Sequence, residues 1–390
     1  MQSRAVLFAL ATGAFAIGTT EFTPMGLLPV IANGVDVDIP AAGLLVSAYA
    51  MGVMVGAPVM TLLFSRFGRR NALMALMVLF TIGNLLSAMA PSYTTLLLSR
   101  LVTSLNHGAF FGIGAVVAAS VVPKDKQARA IAAMFMGLTI ANIGGVPIAT
   151  WLGQQLGWRM AFGATAALGL LTIAALWLTL PKGTAGTRPN VRSELKVLMG
   201  RNVLIAMGTT VLGAGAMFTL YTYVAPLLQD ITKASPDFVT LALVLIGLGF
   251  TIGNSLGGKL ADWSLEGATQ LILAALAIIM LMLPLAFQSH VGAAIALVVW
   301  GAASFAIVPP VQMRVMQAAH KAPGLASSVN VGAFNLGNAL GAALGGFALS
   351  QGWGYHSIPL VGAALATASL GLVWLGRATR RNAATSISCV

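Results

Sequence analysis

The chain has 390 residues, of which 58% are hydrophobic and only 8% charged, and its formal net charge is +12. So little polar surface cannot cover a water-soluble domain of ordinary proportions, which excludes a soluble enzyme or binding module. A basic balance also suits nucleic-acid binding, but the Lys and Arg residues are scattered over short loops with no folded basic module to hold them, so no nucleic-acid partner is expected.

A helix needs roughly 20 apolar residues to cross the hydrocarbon layer. Apolar runs of that size follow one another at 5–32, 41–64, 72–91, 94–121, 129–152, 159–180, 203–228, 238–262, 268–287, 291–311, 324–349 and 356–376. They predict an all-α membrane protein of twelve transmembrane helices. The narrowest divisions are the tight turn at Pro91 and the polar break at Gln288, Ser289 and His290. The first run is too long for a signal peptide, contains Glu21 and leads straight into another span, so it is expected to stay in the mature chain.

Lys and Arg gather on the cytoplasmic side of membrane proteins. If the N-terminus is inside, the basic residues from Arg4 through Arg66, Lys124, Lys182, Arg201, Lys259 and Arg314 to Arg381 fall on that side. Arg159 and Lys233 fall outside it, and Arg100 lies within a span. An even number of helices with both termini in the cytoplasm is the expected topology.

The longest polar segment between spans, 181–202, contains Pro181, Gly183, Gly186 and Pro189. It divides the chain into an N-terminal six-helix bundle (1–180), a cytoplasmic linker (181–202) and a C-terminal six-helix bundle with a short tail (203–390). A repeat supports the division. Asn142, Gly144, Gly145, Gly153, Gly157 and Trp158 in and after span five reappear as Asn338, Gly341, Gly345, Gly346, Gly352 and Trp353 in and after span eleven. Two copies running in the same direction imply bundles related by a pseudo-two-fold axis along the membrane normal. The single cysteine, Cys389, can form neither an internal disulfide nor a multi-cysteine metal site; no metal and no cofactor are expected.

In chain order, the first residue of chemical interest is Glu21, the one acid well inside a span. An ionised side chain at mid-membrane costs several kcal/mol unless paired, hydrated or neutralised, so such residues usually have a task. Counting 1.5 Å per residue from Asn33, Glu21 lies about 18 Å below the periplasmic end of span one. His107, counted from Thr94 in span four, comes to about 20 Å. The shared depth predicts that the two face one cavity and exchange or jointly hold a proton. The bland alternatives are a neutral Glu bonded to a neighbouring backbone and a core His satisfied by Thr103 or Ser104. Arg100 stands seven residues before His107 on roughly the same helix face; its bland reading is an Arg that snorkels to the interface or binds carbonyls that bent helices leave free. In span five, Pro147 removes a backbone donor and Gly144 and Gly145 permit a bend, which suits a gating helix. Substrate contacts are expected from Thr19, Asn106, Asn142, Phe218, Tyr221, Tyr223, Asn254, Asn330 and Asn335, although any one of the amides serves equally as glue between helices. Met134 and Met136 suit an adaptable apolar pocket or simply the core. Few charges in the cavity favour a neutral or amphipathic small molecule.

Ser65-Arg66-Phe67-Gly68-Arg69-Arg70 between spans two and three, and Gly257-Gly258-Lys259-Leu260-Ala261-Asp262 at the end of span eight, resemble the two copies of the loop signature of the major facilitator superfamily. The first copy has Thr61 and Ser65 where Gly and Asp are expected, and the second lacks the basic cluster. The resemblance extends through Gly18-Thr19-Thr20-Glu21-Phe22, Met25-Gly26-Leu27-Leu28-Pro29, the stretch from Arg100 to Phe111 and the Gly-Pro segment of span five. It points to the drug:proton antiporter branch and an arabinose-efflux-like subgroup within it. That resemblance implies a monomer exporting a drug-like compound, sugar or metabolite against protons. It further implies an Arg100 that assists proton transfer and gating by Arg66, Arg69, Arg70 and Asp262, the last as a conformational latch. Uptake by proton symport uses the same fold, and a nontransporting sensor is a further alternative. An enzyme would need a HExxH pair, a P-loop lysine or a second membrane carboxylate, and a channel a repeated filter; none is present in the sequence.

Overall fold

The structure is a computed structural model, and it describes residues 2–64, 67–123, 127–181, 196–319 and 323–388. Arg66, Cys389 and residues 182–195 of the expected linker lie outside the described residues, and the Asp262 side chain is likewise not described.

Every regular element described is helical. In chain order these are α1 (Gln2–Gly34), α2 (Ile39–Phe64), α3 (Arg69–Ala88), α4 (Tyr93–Ser104), α5 (His107–Ser120), α6 (Gln127–Ile140), a π-helical turn (Ala141–Gly145), α7 (Val146–Leu156) and α8 (Trp158–Thr179). They continue with α9 (Arg201–Thr222), α10 (Val224–Ile231), α11 (Pro236–Trp263), α12 (Leu265–Ala286), α13 (His290–Ala306), α14 (Val308–Ala318), α15 (Pro323–Ser350) and α16 (Ser357–Ser388).

These elements make twelve spans because four spans are broken. Eleven segments are long and apolar enough to cross a membrane, including Tyr93–Ala118 across α4 and α5 and His290–Ala318 across α13 and α14. The twelfth is α15, whose 28 residues suffice in length and whose apolarity is lowered by Asn330, Asn335 and Asn338.

Each break has a local cause. In span four, Ser99, Thr103, Ser104 and Asn106 all turn their side chains back onto carbonyls three or four residues earlier, competing with the helix's own bonds. The helix stops at Ser104 and restarts at His107. In span five, Pro147 has no N–H to offer Ile143, and Val146 N–H instead reaches Ala141 O, five residues back. Pro226 has no N–H to offer the Thr222 carbonyl where α9 gives way to α10, and Pro309 and Pro310 have none to offer Phe305 and Ala306 after α13, where the Phe305 carbonyl accepts from Ile307 instead. The bend expected from Gly144, Gly145 and Pro147 is thus a π turn.

The repeat is visible in backbone conformation. Gly157 and Gly352, each placed before a Trp, both have positive φ, at 91° and 75°. Only glycine adopts that region without strain.

The chain divides into two compact units, one of Met1–Pro189 with Tyr221–Gly247 and the other of Asn190–Leu220 with Leu248–Val390. In the first, α1 packs on α6 and α8, and α3 packs on α8 and α4. Two apolar clusters hold this unit. One gathers Val6, Leu10, Ile17, Leu76, Phe80, Phe110, Met134 and Leu176; the other gathers Leu27, Ile31, Leu45, Leu96, Trp158 and Phe162. The stretch Thr19–Thr23 of α1 lies between them and belongs to neither. In the second unit, α12 packs on α16 and α13, and α14 on α15.

Candidate functional site

Between the two apolar clusters of the first unit sits a buried polar group contributed by six helices, α1 to α5 and α8. On α1, Pro24 cannot donate to the Thr20 carbonyl, so the ladder lacks a bond beside Glu21. Glu21 itself is only 5% exposed. His107 is the first residue of α5, carried into the interior by the break in span four, and its Nδ1 lies 3.9 Å from Glu21 Oε2. The two groups deduced from their depth are therefore neighbours in space.

Nδ1 has a second neighbour. Tyr49 Oη, from the middle of α2, lies 3.2 Å away. The His107 ring also meets Phe111 at a centroid distance of 5.2 Å, and Phe111 stacks on Phe135 at 5.1 Å.

Arg100 on α4 is 1% exposed, and its guanidinium lies 4.2 Å above the Tyr49 ring and 5.5 Å from that of Phe162. Its Nη1 donates to Thr20 Oγ1 at 3.2 Å, while Nε and Nη2 have no hydrogen-bond partner among the described residues. A buried cation held this way relies on the aromatic faces for part of its stabilisation. Thr20 in turn donates to Asn84 Oδ1, which also accepts from Thr165 Oγ1 at 3.1 Å, and Asn84 Nδ2 donates to Phe80 O at 2.9 Å. Nearby, Ser87 and Ser99 join α3 to α4 through their hydroxyls at 2.8 Å.

The expected substrate residues separate into groups. Asn142 lies in the π turn, where its Nδ2 donates to Leu138 O at 3.0 Å and its Oδ1 accepts from Tyr221 Oη at 3.4 Å. Tyr221 also meets the Phe22 ring at 5.6 Å, next along α1 from Glu21. Gly144, in the same turn, has open space where a Cβ would be. Thr19 donates to Phe15 O and Asn106 to Thr103 O, each within its own span. Tyr223 is fully buried with its hydroxyl against Gly43. In the second unit, Phe218 meets Phe334 edge to face at 5.6 Å, and Asn335 donates to Val331 O. Asn254 is exposed. Asn330 acts between helices, accepting from Thr210 on α9 and donating to Gln312 on α14. Met134 is buried in the apolar core and Met136 is exposed.

Of the expected gating residues, Arg70 donates to the carbonyl of Trp177 at the end of α8 and lies over its ring, and Arg69 is exposed. Arg159, an exception to the charge bias, donates from Nε and Nη2 to Ala90 O just after α3. The second unit holds a cavity of about 520 Å³ lined by Asn202, Leu265, Glu266, Arg314, Gln317 and Gly376 among others; no expected substrate residue faces it.

Tyr49, Thr20, Asn84 and Thr165 are the members of the polar group that the sequence alone does not single out. Their one signal is a hydroxyl or amide in mid-span, which most helix-packing residues share.

Comparison with known proteins adds a lineage to this geometry. Residues 10–331 match the family described as Major Facilitator Superfamily. The chain is 66% identical over 369 residues to the inner membrane transport protein YdhP of Escherichia coli strain K12, covering 95% of each chain. It is 33% identical over 384 residues to the putative transporter AraJ of the same organism, covering 97% of each. Among solved structures, a D-xylose-proton symporter superposes with a TM-score of 0.74 at 17% identity over 95% of this chain and 97% of the other, a likeness of fold.

Proposed function

The chain belongs to the major facilitator superfamily and is a multi-pass membrane transporter, and we propose that it is driven by protons and exports a small neutral or amphipathic organic compound by alternating access. The observation that carries this is the Glu21–His107 contact at 3.9 Å, buried between the apolar clusters of the first unit. A carboxyl group and an imidazole this close need only a small approach to pass one proton between them, and a group that gains and loses charge in low dielectric changes the cost of each conformation around it. Arg100 holds a fixed positive charge beside the pair, tied to Thr20 one residue from Glu21. It is proposed to assist the release of the proton.

Candidate cargo contacts are proposed to be Thr19, Asn106, Asn142, Tyr221 and Tyr223 within the first unit and, separately, Phe218, Asn254, Asn330 and Asn335 within the second; Asn106 and Asn335 each hold a side-chain oxygen with no hydrogen-bond partner among the described residues. The open space beside Gly144 supports a cargo path along the π turn. Arg69, Arg70 and Asp262 are proposed to stabilise one conformation at the helix ends. The protein is proposed to work in a bacterial inner membrane as a monomer with both termini in the cytoplasm, a proposal supported by the charge bias and by its likeness to the inner membrane transport protein YdhP.

The test is transport in proteoliposomes with an imposed pH gradient, screened against sugars and cationic dyes. The wild type is expected to drive cargo up its concentration gradient as protons run down theirs, and Glu21→Gln to lose that drive. Full gradient-driven transport by Glu21→Gln overturns the proton-carrier assignment, and cargo moving in the same direction as the protons replaces export with symport.

A further inference from the structure

The imidazole Nδ1 of His107 faces two oxygens, Tyr49 Oη at 3.2 Å and Glu21 Oε2 at 3.9 Å. A neutral imidazole carries a proton on one ring nitrogen and a lone pair on the other, and which is which decides what the pair can do. With a lone pair on Nδ1, His107 is ready to receive a proton from Glu21. With a hydrogen there, it has nothing to receive with on that side.

Tyr49 is placed to make the choice. Its hydroxyl is within hydrogen-bond distance of Nδ1, whereas Glu21 stands beyond it. A phenol can donate or accept, but the guanidinium of Arg100 lies 4.2 Å over this ring. A cation on the ring face draws electron density from the phenol oxygen, which makes the O–H a stronger donor and the oxygen a weaker acceptor. The ring is 1% exposed, so water does not compete for the hydroxyl.

We propose that Tyr49 is the positioning residue of the Glu21–His107 pair: its hydroxyl donates to Nδ1 and so fixes His107 as the Nε2–H tautomer, which keeps a basic lone pair, and not an N–H, on the nitrogen nearer Glu21. This rests on the reading of the pair as a proton carrier. In the transfer, the Tyr49 hydroxyl rotates off the Nδ1 lone pair as Glu21 closes to hydrogen-bond distance; the Glu21 O–H bond then breaks and an Nδ1–H bond forms, leaving a carboxylate and an imidazolium. Arg100 therefore acts on the proton through the Tyr49 ring as well as through its charge.

The test is ¹⁵N NMR of the full chain in lipid nanodiscs with ¹⁵N-labelled histidine, the His107 signals being identified by their loss in His107→Gln. The expected wild-type spectrum shows a protonated Nε2 and a hydrogen-bonded, unprotonated Nδ1. Tyr49→Phe is expected to remove the hydrogen-bond shift at Nδ1 and to admit the second tautomer. Glu21→Ala, which leaves no carboxyl to donate, is expected to keep the wild-type tautomer. A wild-type Nδ1–H tautomer, an unchanged His107 signal in Tyr49→Phe, or a tautomer lost in Glu21→Ala overturns the proposal. If Tyr49→Phe does not fold, the wild-type and Glu21→Ala spectra decide. Transport by Glu21→Gln is read separately: if it persists while the tautomer is as stated, the carrier assignment falls and the role of Tyr49 in orienting the imidazole stands.

Discussion

Span four of the first unit and span ten of the second are both interrupted, at Leu105–Asn106 and at Ile307, yet they carry different cargoes of side chains. The interruption in span four delivers His107 next to Glu21, with Arg100 one helix segment earlier. The interruption in span ten is made by Pro309 and Pro310, and the segment before it, α13, holds no charged residue. Spans five and eleven diverge in the same manner. Asn142 and Asn338 occupy matching positions, but span five has Pro147 and forms a π turn, while span eleven has no proline in its interior and runs as one α-helix. The lesson is that duplication fixes where a helix ends and which way it runs, through features such as Gly157 and Gly352. The chemistry of the interior is free to settle in one copy.

The comparison can be tested from its strongest consequence downwards. Glu21→Gln or His107→Ala in the first unit is expected to abolish accumulation driven by a pH gradient, whereas Asn330→Leu in the second is expected to keep the accumulation ratio per folded molecule; proteoliposome uptake normalised to reconstituted protein measures both. Second in size is a stability difference. Asn84→Leu leaves the buried hydroxyl of Thr20 without its acceptor, while Thr165 keeps the carbonyl of Phe162, at roughly 2 kcal/mol. Asn330→Leu removes contacts to Thr210 and Gln312 for about 1 kcal/mol, the usual strength of polar glue between membrane helices. Unfolding in a detergent series, with both variants side by side, measures the gap. The smallest effect is at Gly144, where a methyl group enters open space: Gly144→Ala is expected to stay within about 0.5 kcal/mol of wild type, and a larger loss of stability in the same assay would show that the π turn needs glycine.

Much of the architecture was legible in sequence because membrane spans are written in length and apolarity, and both survive without knowledge of packing. The Glu21–His107 neighbourhood was legible for a related reason: depth along a helix is arithmetic, and a lone acid in hydrocarbon stands out. Tyr49 was hidden because its hydroxyl is one of many in mid-span, and its partnership with His107 depends on how α2 faces α5. Asn84 was hidden likewise, since its partners lie 64 and 81 residues away in sequence. Arg159 shows the reverse case. Its place against the charge bias was plain in the sequence, and its reason, the carbonyl of Ala90, needed the fold.

Asn84 also constrains how the first unit can move. One amide oxygen takes hydrogen bonds from α1 and α8 while the side chain itself is anchored on α3, so three spans meet at a single atom. Sliding α1 or α3 by even one helical step would part the Thr20 hydroxyl from its acceptor, whereas Thr165 keeps the carbonyl of Phe162 within its own helix. Spans one, three and six are thereby tied together at one amide, and a movement that keeps these bonds carries the three spans as one.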